Sequence, residues 1–222
     1  MAGAKVGSIP RLLVAAHGTS SVAGSASTAS LVATIRATRP ALPASLCFLD
    51  VAAPSLAEAL DTLAGPVVVL PLLLSTGYHV QTDIPRVAAG RRGVRVARHL
   101  GPDPLIIDAL IDRLGPSSAA TIALVGVGSS RPEARTEHGA AAGLLGARLG
   151  RPVTVVTLAE DVRAALVALA PSVDVATYLL AEGRFLDSLK ASAAGIATVA
   201  DPIGVHPALV SLVLARYDEA LN

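Results

Sequence analysis

The sequence predicts an α/β fold made of two similar doubly wound parallel-sheet halves, related by a pseudo-two-fold duplication. Three observations lead there. Short apolar runs rich in Val, Leu, Ile and Ala alternate with helical stretches along the chain, the pattern of right-handed βαβ crossovers. That alternation runs through four strand-helix units and then through four more. Hydrophobic residues make up 52% and aromatics 2% of the 222 residues, so the core must be built from small aliphatic side chains, which suit helices packed on a parallel sheet.

Each element follows from period and punctuation. In the first half, strands are expected near 11–16, 45–50, 66–74 and 93–98, with helices near 28–38, 55–63, 84–90 and 104–114. Asp83 and Asp103 stand where helix N-caps belong, with Pro85 and Pro104 in the first turns that follow. In the second half, strands are expected near 121–127, 153–158, 173–178 and 196–200, and helices near 132–148, 160–169, 181–193 and 207–220. There His206 precedes Pro207, a poorer cap in the same place as Asp103. The Gly115-Pro116-Ser117-Ser118 turn divides the chain into residues 1–116 and 117–222.

Two landmarks tie the halves together as copies. Leu12-Leu13-Val14-Ala15-Ala16-His17-Gly18-Thr19 is echoed by Ile122-Ala123-Leu124-Val125-Gly126-Val127-Gly128-Ser129, and Gly101-Pro102-Asp103-Pro104 by Gly204-Val205-His206-Pro207. His17 then aligns with Val127, and matching Gly77 to Gly183 sets His79 against Phe185. One copy keeps both imidazoles and the other keeps neither, which assigns them a chemical role in the first half rather than a role in folding.

Composition excludes several classes. Eighteen Lys plus Arg against 17 Asp plus Glu, with few aromatics, provide neither a basic stripe nor a stacking platform for nucleic acid. A single cysteine, Cys47, rules out an intrachain disulfide and a cysteine-based zinc site and fits a reduced, cytoplasmic setting. The mean hydropathy of +0.60 is high, but the uncharged stretch from Leu63 to Thr82 is broken by Pro66, Pro71, Ser75, Thr76, His79 and Gln81, so no membrane span is expected. Lys5 and Arg11 precede only five apolar residues before His17, too few for a secretory leader.

His17 and His79 each follow an apolar run that reads as a buried strand. In open α/β sheets, ligands bind beyond the carboxyl ends of the strands, and in the order 2-1-3-4 the first and third strands are neighbours. Two imidazoles there point to a divalent metal or a proton transfer. Asp50, placed at the end of the second strand, is in reach of the same rim. Gly18, Thr19, Ser20 and Ser21 form a polar turn before a helix, without a GxGxxG fingerprint. Arg86, Arg91, Arg92, Arg95 and Arg98 form a cationic stretch suited to a polycarboxylate. His99, His138 and His206 have no partner pattern and read as surface or capping residues.

Ala16-His17-Gly18-Thr19 after a first strand, together with the run from Pro71 through Ser75-Thr76-Gly77-Tyr78-His79 to Pro85, resembles the sirohydrochlorin chelatases of the CbiX and SirB family. Phe48-Leu49-Asp50 and Pro54-Ser55-Leu56 extend the likeness. The resemblance implies a class II chelatase fold and insertion of Fe²⁺ or Co²⁺ into sirohydrochlorin, in siroheme or cobalamin biosynthesis. His17 and His79 match the family's catalytic and metal-binding histidines, and Asp50 matches an acidic position often held by Glu. Thr19, Ser75 and Gly77 fall among the expected tetrapyrrole contacts, with the arginine stretch holding substrate carboxylates. Where family members often carry Ser-Arg after the His-Gly pair, this chain has Thr19-Ser20. The metal is implied as substrate, with no permanently bound cofactor, and the protein as a monomer or homodimer. The alternatives are a ferrochelatase for another tetrapyrrole and a non-catalytic metal carrier.

Overall fold

The computed structural model describes residues 9–222. Lys5, part of the leader reading, lies outside them. Strands β1 (Arg11–Ala16), β2 (Ala44–Phe48), β3 (Val67–Leu72) and β4 (Val94–Val96) form a parallel sheet in the order β2-β1-β3-β4. Strands β5 (Thr121–Gly126), β6 (Val153–Thr157), β7 (Val173–Tyr178) and β8 (Thr198–Val199) form a second parallel sheet in the order β6-β5-β7-β8. The helices are α1 (Val22–Thr38), α2 (Leu56–Thr62), α3 (Ile84–Ala88) and α4 (Pro104–Leu114), then α5 (Pro132–Leu149), α6 (Val162–Leu169), α7 (Arg184–Ala193) and α8 (Pro207–Glu219). Both halves repeat one order of strands, as the sequence predicts. Gly18 and Gly128, aligned by the repeat, share a positive φ, at 96° and 81°.

The central strands β1, β3, β5 and β7 are buried on both faces, and alternation sorts their side chains. Leu12, Val14, Val68 and Leu70 of the first sheet share one continuous core with Ile122, Leu124, Ala176 and Tyr178 of the second. Helices α1, α4, α5 and α8 contribute to that core. The opposite faces carry smaller clusters, Leu13, Ala15, Val67 and Val69 under α2 in the first half, and Ala123, Val125 and Val175 under α6 and α7 in the second.

The last helix of each half crosses over. Helix α4 packs on β7, α8 packs on β3, and the two helices pack on each other. Polar ties follow the same route: Tyr217 of α8 donates to the Pro10 carbonyl at 2.6 Å, Arg216 pairs with Asp103 at 2.7 Å, and Asp218 pairs with Arg39 at 2.6 Å. In return, Arg113 of α4 donates to the Ile203 carbonyl. The two sheets are therefore separate, but the core between them is common.

Several boundaries differ from expectation. Helix α1 begins at Val22 instead of near 28, because Ser21 caps it by accepting from the Gly24 N–H. Strand β2 stops at Phe48, so Asp50 lies beyond it in a bend. Asp103 and His206 both cap as expected, accepting from Leu105 N–H and Ala208 N–H. Asp83 does not cap α3: its own backbone is helical, and its side chain makes no capping bond.

Candidate active site

Strands β1 and β3 run side by side, Ala16 beside Leu72, so the segments leaving their carboxyl ends emerge together. His17 is the first residue past β1, and His79 opens a π-helical turn, His79–Asp83, after β3. Their ring centroids stand 5.0 Å apart with the planes at 83°. Metal–nitrogen bonds to imidazole are ~2 Å, which sets the centroids of two rings sharing one ion on the order of 5 Å apart. The spacing therefore suits a shared divalent ion with coordination positions left open. Among the described residues no cluster of three or more His, Cys, Asp or Glu side chains is arranged to hold a metal.

The π-helical turn gives His79 a partner. Its Nδ1 lies 2.8 Å from Asp83 Oδ2, and the other carboxylate oxygen of Asp83 accepts from Arg86 at 3.2 Å. This is the arrangement in which a carboxylate fixes the tautomer of a ligating histidine. The i,i+4 spacing of His79 and Asp83 was the available sequence signal.

Gly18 is required where it stands. It has positive φ, and a Cβ there would overlap the Asp50 carbonyl oxygen. The 50–52 loop thus passes directly over the turn after His17, and Asp50 N–H donates to the His17 carbonyl at 2.9 Å. Next to Asp50, Val51 has φ 63°, an uncommon conformation for a β-branched residue. The Asp50 carboxylate accepts from Val51 N–H at 2.8 Å, and Asp50 is not among the residues that line the cleft, although His17 and Val51 are. The structure brings the two histidines together, while Asp50 is exposed and bonded to its own loop.

The cleft that holds the imidazoles has a volume of about 610 Å³ and is lined by both halves. Thr19, Ser75 and Gly77 are among its lining residues. Thr19 also has a local role, since its Oγ1 accepts from Ser21 N–H at 3.0 Å. The expected arginine rim is absent: none of Arg86, Arg91, Arg92, Arg95 and Arg98 lines the cleft. Arg86 pairs with Asp83, Arg91 with Asp61, and Arg95 donates to the carbonyls of Ala220 and Leu221. Arg184, which the sequence reading passed over, lines it instead.

Polar residues from both halves support Leu74 and Thr76 of the cleft lining. Glu137 of α5 accepts from the backbone N–H of Thr76 and from its hydroxyl at 2.6 Å. His99 Nε2 lies 3.2 Å from both Thr76 Oγ1 and Glu137 Oε1, while His99 Nδ1 is buried without a partner. His138 packs edge-to-face on Tyr178, ring centroids 5.4 Å apart, and Tyr178 donates to the Leu74 carbonyl at 3.1 Å. His99 and His138 are thus buried, at 8% and 3% exposure, not surface residues. Burial lowers both imidazoles below the usual histidine range, and the nearby Glu137 carboxylate opposes that shift. Burial pushes the Cys47 thiol up to about 12, which leaves it unreactive.

The CbiX family model matches residues 11–117. No curated protein sequence matches. Among solved structures, SirB from Bacillus subtilis with Fe³⁺ is similar with a TM-score of 0.79 at 22% identity, over 96% of this chain and 95% of that one. The sirohydrochlorin chelatase SirB from Bacillus subtilis subspecies spizizenii, in complex with cobalt, gives 0.78 at 22% identity with the same coverage. CbiX, described as the terminal enzyme for biosynthesis of siroheme in denitrifying bacteria, gives 0.72 at 19% identity over 96% of this chain and 100% of that one. The fold is that of these class II chelatase structures over 96% of the chain.

Proposed function

We propose that the protein is a sirohydrochlorin chelatase, inserting Fe²⁺ or Co²⁺ into sirohydrochlorin for siroheme or cobalamin biosynthesis, a reading supported by the match of the CbiX family model to residues 11–117. The observation that carries this reading is the His17–His79 pair, 5.0 Å apart at the mouth of a cleft large enough to admit part of a macrocycle. The similar structures solved with Fe³⁺ and with cobalt support a metal ion as substrate.

Insertion brings one M²⁺ into the ring and releases two pyrrole protons, so it needs a ligand that lets go and a base. His79 supplies the ligand: with Nδ1–H donated to Asp83, Nε2 carries a free lone pair. His17, exposed and without a strong partner of its own, either shares the ion or accepts a pyrrole proton. Asp50 takes no direct part in this scheme and shapes the loop over Gly18. Thr19, Ser75 and Gly77 border the substrate. The duplication boundary is drawn between residues 116 and 117. Both walls of the cleft come from one chain, so the reading needs no second copy, and the cytoplasm, where the substrate is made and thiols stay reduced, is the proposed setting. Among the described residues no helix is long and apolar enough to cross a membrane.

The test is anaerobic incubation of the protein with sirohydrochlorin and Co²⁺ or Fe²⁺, followed by visible spectroscopy, with a porphyrin in parallel. Rapid, enzyme-dependent conversion of sirohydrochlorin supports the proposal. Conversion of the porphyrin alone would assign a different tetrapyrrole, and stoichiometric metal uptake without turnover would assign a carrier.

A further inference from the structure

The geometry points to Arg184 and Phe185, at the start of α7, as the grip on the tetrapyrrole: Phe185 against the macrocycle and Arg184 on a peripheral carboxylate. The inference rests on the chelatase reading and extends it to the half of the chain that has lost both histidines. Phe185 occupies the repeat position of His79, and Val127 that of His17, and both line the same cleft as the imidazoles. Phe185 is 47% exposed and Val127 40%. The buried face of α7 is formed by Leu186, Leu189 and Ala193, so Phe185 contributes nothing to the core beneath that helix. An exposed aromatic ring at a cleft is a contact surface awaiting a partner.

Arg184 is the only Lys or Arg lining the cleft among the described residues. It is exposed and forms no ion pair there, although Glu182 lines the same rim. Its position runs against helix stability, since a cation in the first turn opposes the helix dipole. No side chain caps that turn, so its free N–H groups add to the attraction for an anion. The segment is held next to the catalytic turn: a Cβ at Gly24 would stand 2.5 Å from the Glu182 carbonyl oxygen, and one at Gly183 would lie 3.4 Å from Thr19 Oγ1. A flat, polycarboxylate ligand entering between the halves therefore meets imidazoles from one side, with an apolar ring and a guanidinium from the other. Guanidinium suits a carboxylate because it binds both oxygens at once.

The test is direct titration of metal-free sirohydrochlorin, followed by absorbance, into wild type, Arg184→Gln, Arg184→Lys, Phe185→Ala and Phe185→Leu. Co²⁺ binding is measured separately by visible absorption, and thermal unfolding checks the fold. Arg184→Gln is expected to raise the tetrapyrrole Kd about tenfold, the scale of a lost hydrogen bond to a charged group, and to flatten its salt dependence. Arg184→Lys should recover part of the loss, Phe185→Ala should weaken binding several-fold, and Phe185→Leu should weaken it less. Co²⁺ binding should stay at the wild-type level in all four. If wild type binds sirohydrochlorin and both Arg184→Gln and Phe185→Ala bind it within twofold of wild type, the grip is wrong while the chelatase reading stands. If wild type fails to bind the tetrapyrrole at all, both fall.

Discussion

His79 Nδ1 and Asp83 Oδ2 stand 2.8 Å apart, and since an ionised carboxylate can only accept, the ring donates there, so that in the neutral imidazole Nε2 is the nitrogen with the lone pair. Arg86 steadies the same carboxylate from its other oxygen. We expect Asp83→Ala to weaken Co²⁺ binding and metal insertion by about 10–100-fold, the usual cost of losing a partner behind a ligating histidine. Asp83→Asn should cost less, because its amide oxygen still accepts. Co²⁺ titration and kcat/KM measured together check this, and unchanged affinity in Asp83→Ala would remove the carboxylate from the site.

Replacing the histidines themselves should act on chemistry and spare the fold. His17 is exposed and His79 only partly buried, so neither supports the core. His17→Ala and His79→Ala are each expected to lower insertion at least about tenfold, with thermal unfolding close to wild type. Full activity in His79→Ala would overturn its assignment as metal ligand.

Metal selectivity should be modest. Two imidazoles impose little geometry, and the intrinsic order of affinity rises from Fe²⁺ through Co²⁺ to Ni²⁺. We expect insertion of both Fe²⁺ and Co²⁺ in anaerobic initial-rate assays at matched free metal. A preference beyond about a thousandfold, or ~4 kcal/mol, would reveal a selecting group outside the pair.

Acid should loosen the protein before its carboxylates titrate. His99 and His138 have folded-state pKa values lowered chiefly by burial, so the unfolded chain, with histidine near its ordinary ~6.5, takes up protons first as pH falls. Stability is therefore complete above about 6.5 and declines as pH drops through that value towards the depressed folded-state values. Unfolding temperature measured from pH 7.5 to 5 should fall, and His138→Gln should flatten the slope. A profile that rises over that window would contradict neutral burial of these rings.

The clamp from Glu137 to Thr76 joins the second half to the floor of the cleft. Charged hydrogen bonds contribute about 1.5–3 kcal/mol each, and Glu137 receives two from Thr76. Glu137→Ala is expected to destabilise by on the order of 3 kcal/mol in urea unfolding, and Glu137→Gln by less. A change below about 0.5 kcal/mol in Glu137→Ala would show that the clamp adds nothing to stability.

The sequence made the strands and the duplication legible because buried parallel strands carry unbroken apolar runs, and because Gly18 and Gly128 serve the same backbone need in both copies. It located His17 and His79 for the same reason, since a strand end fixes the residue that follows it. It did not disclose the start of α1, where Val22 to Ser27 has no apolar period and depends on the Ser21 cap and the close packing of Gly24. Nor did a run of arginines say where each guanidinium would turn: Arg91 and Arg95 found partners outside the cleft. Glu137 and Arg184 lie far along the chain from the histidines, and only the folded structure shows that Arg184 lines their cleft and that Glu137 holds Thr76 of its lining.

The crossing of α4 and α8 also fixes when the protein can be finished. A nascent chain that has delivered both histidines still lacks α8, so the face of β3 carrying Val68 and Leu70 lacks that helix until residues 207–219 leave the ribosome. The half that carries the histidines cannot mature ahead of its partner, and a message cut short before Pro207 would yield His17 and His79 on a sheet without its α8 cover.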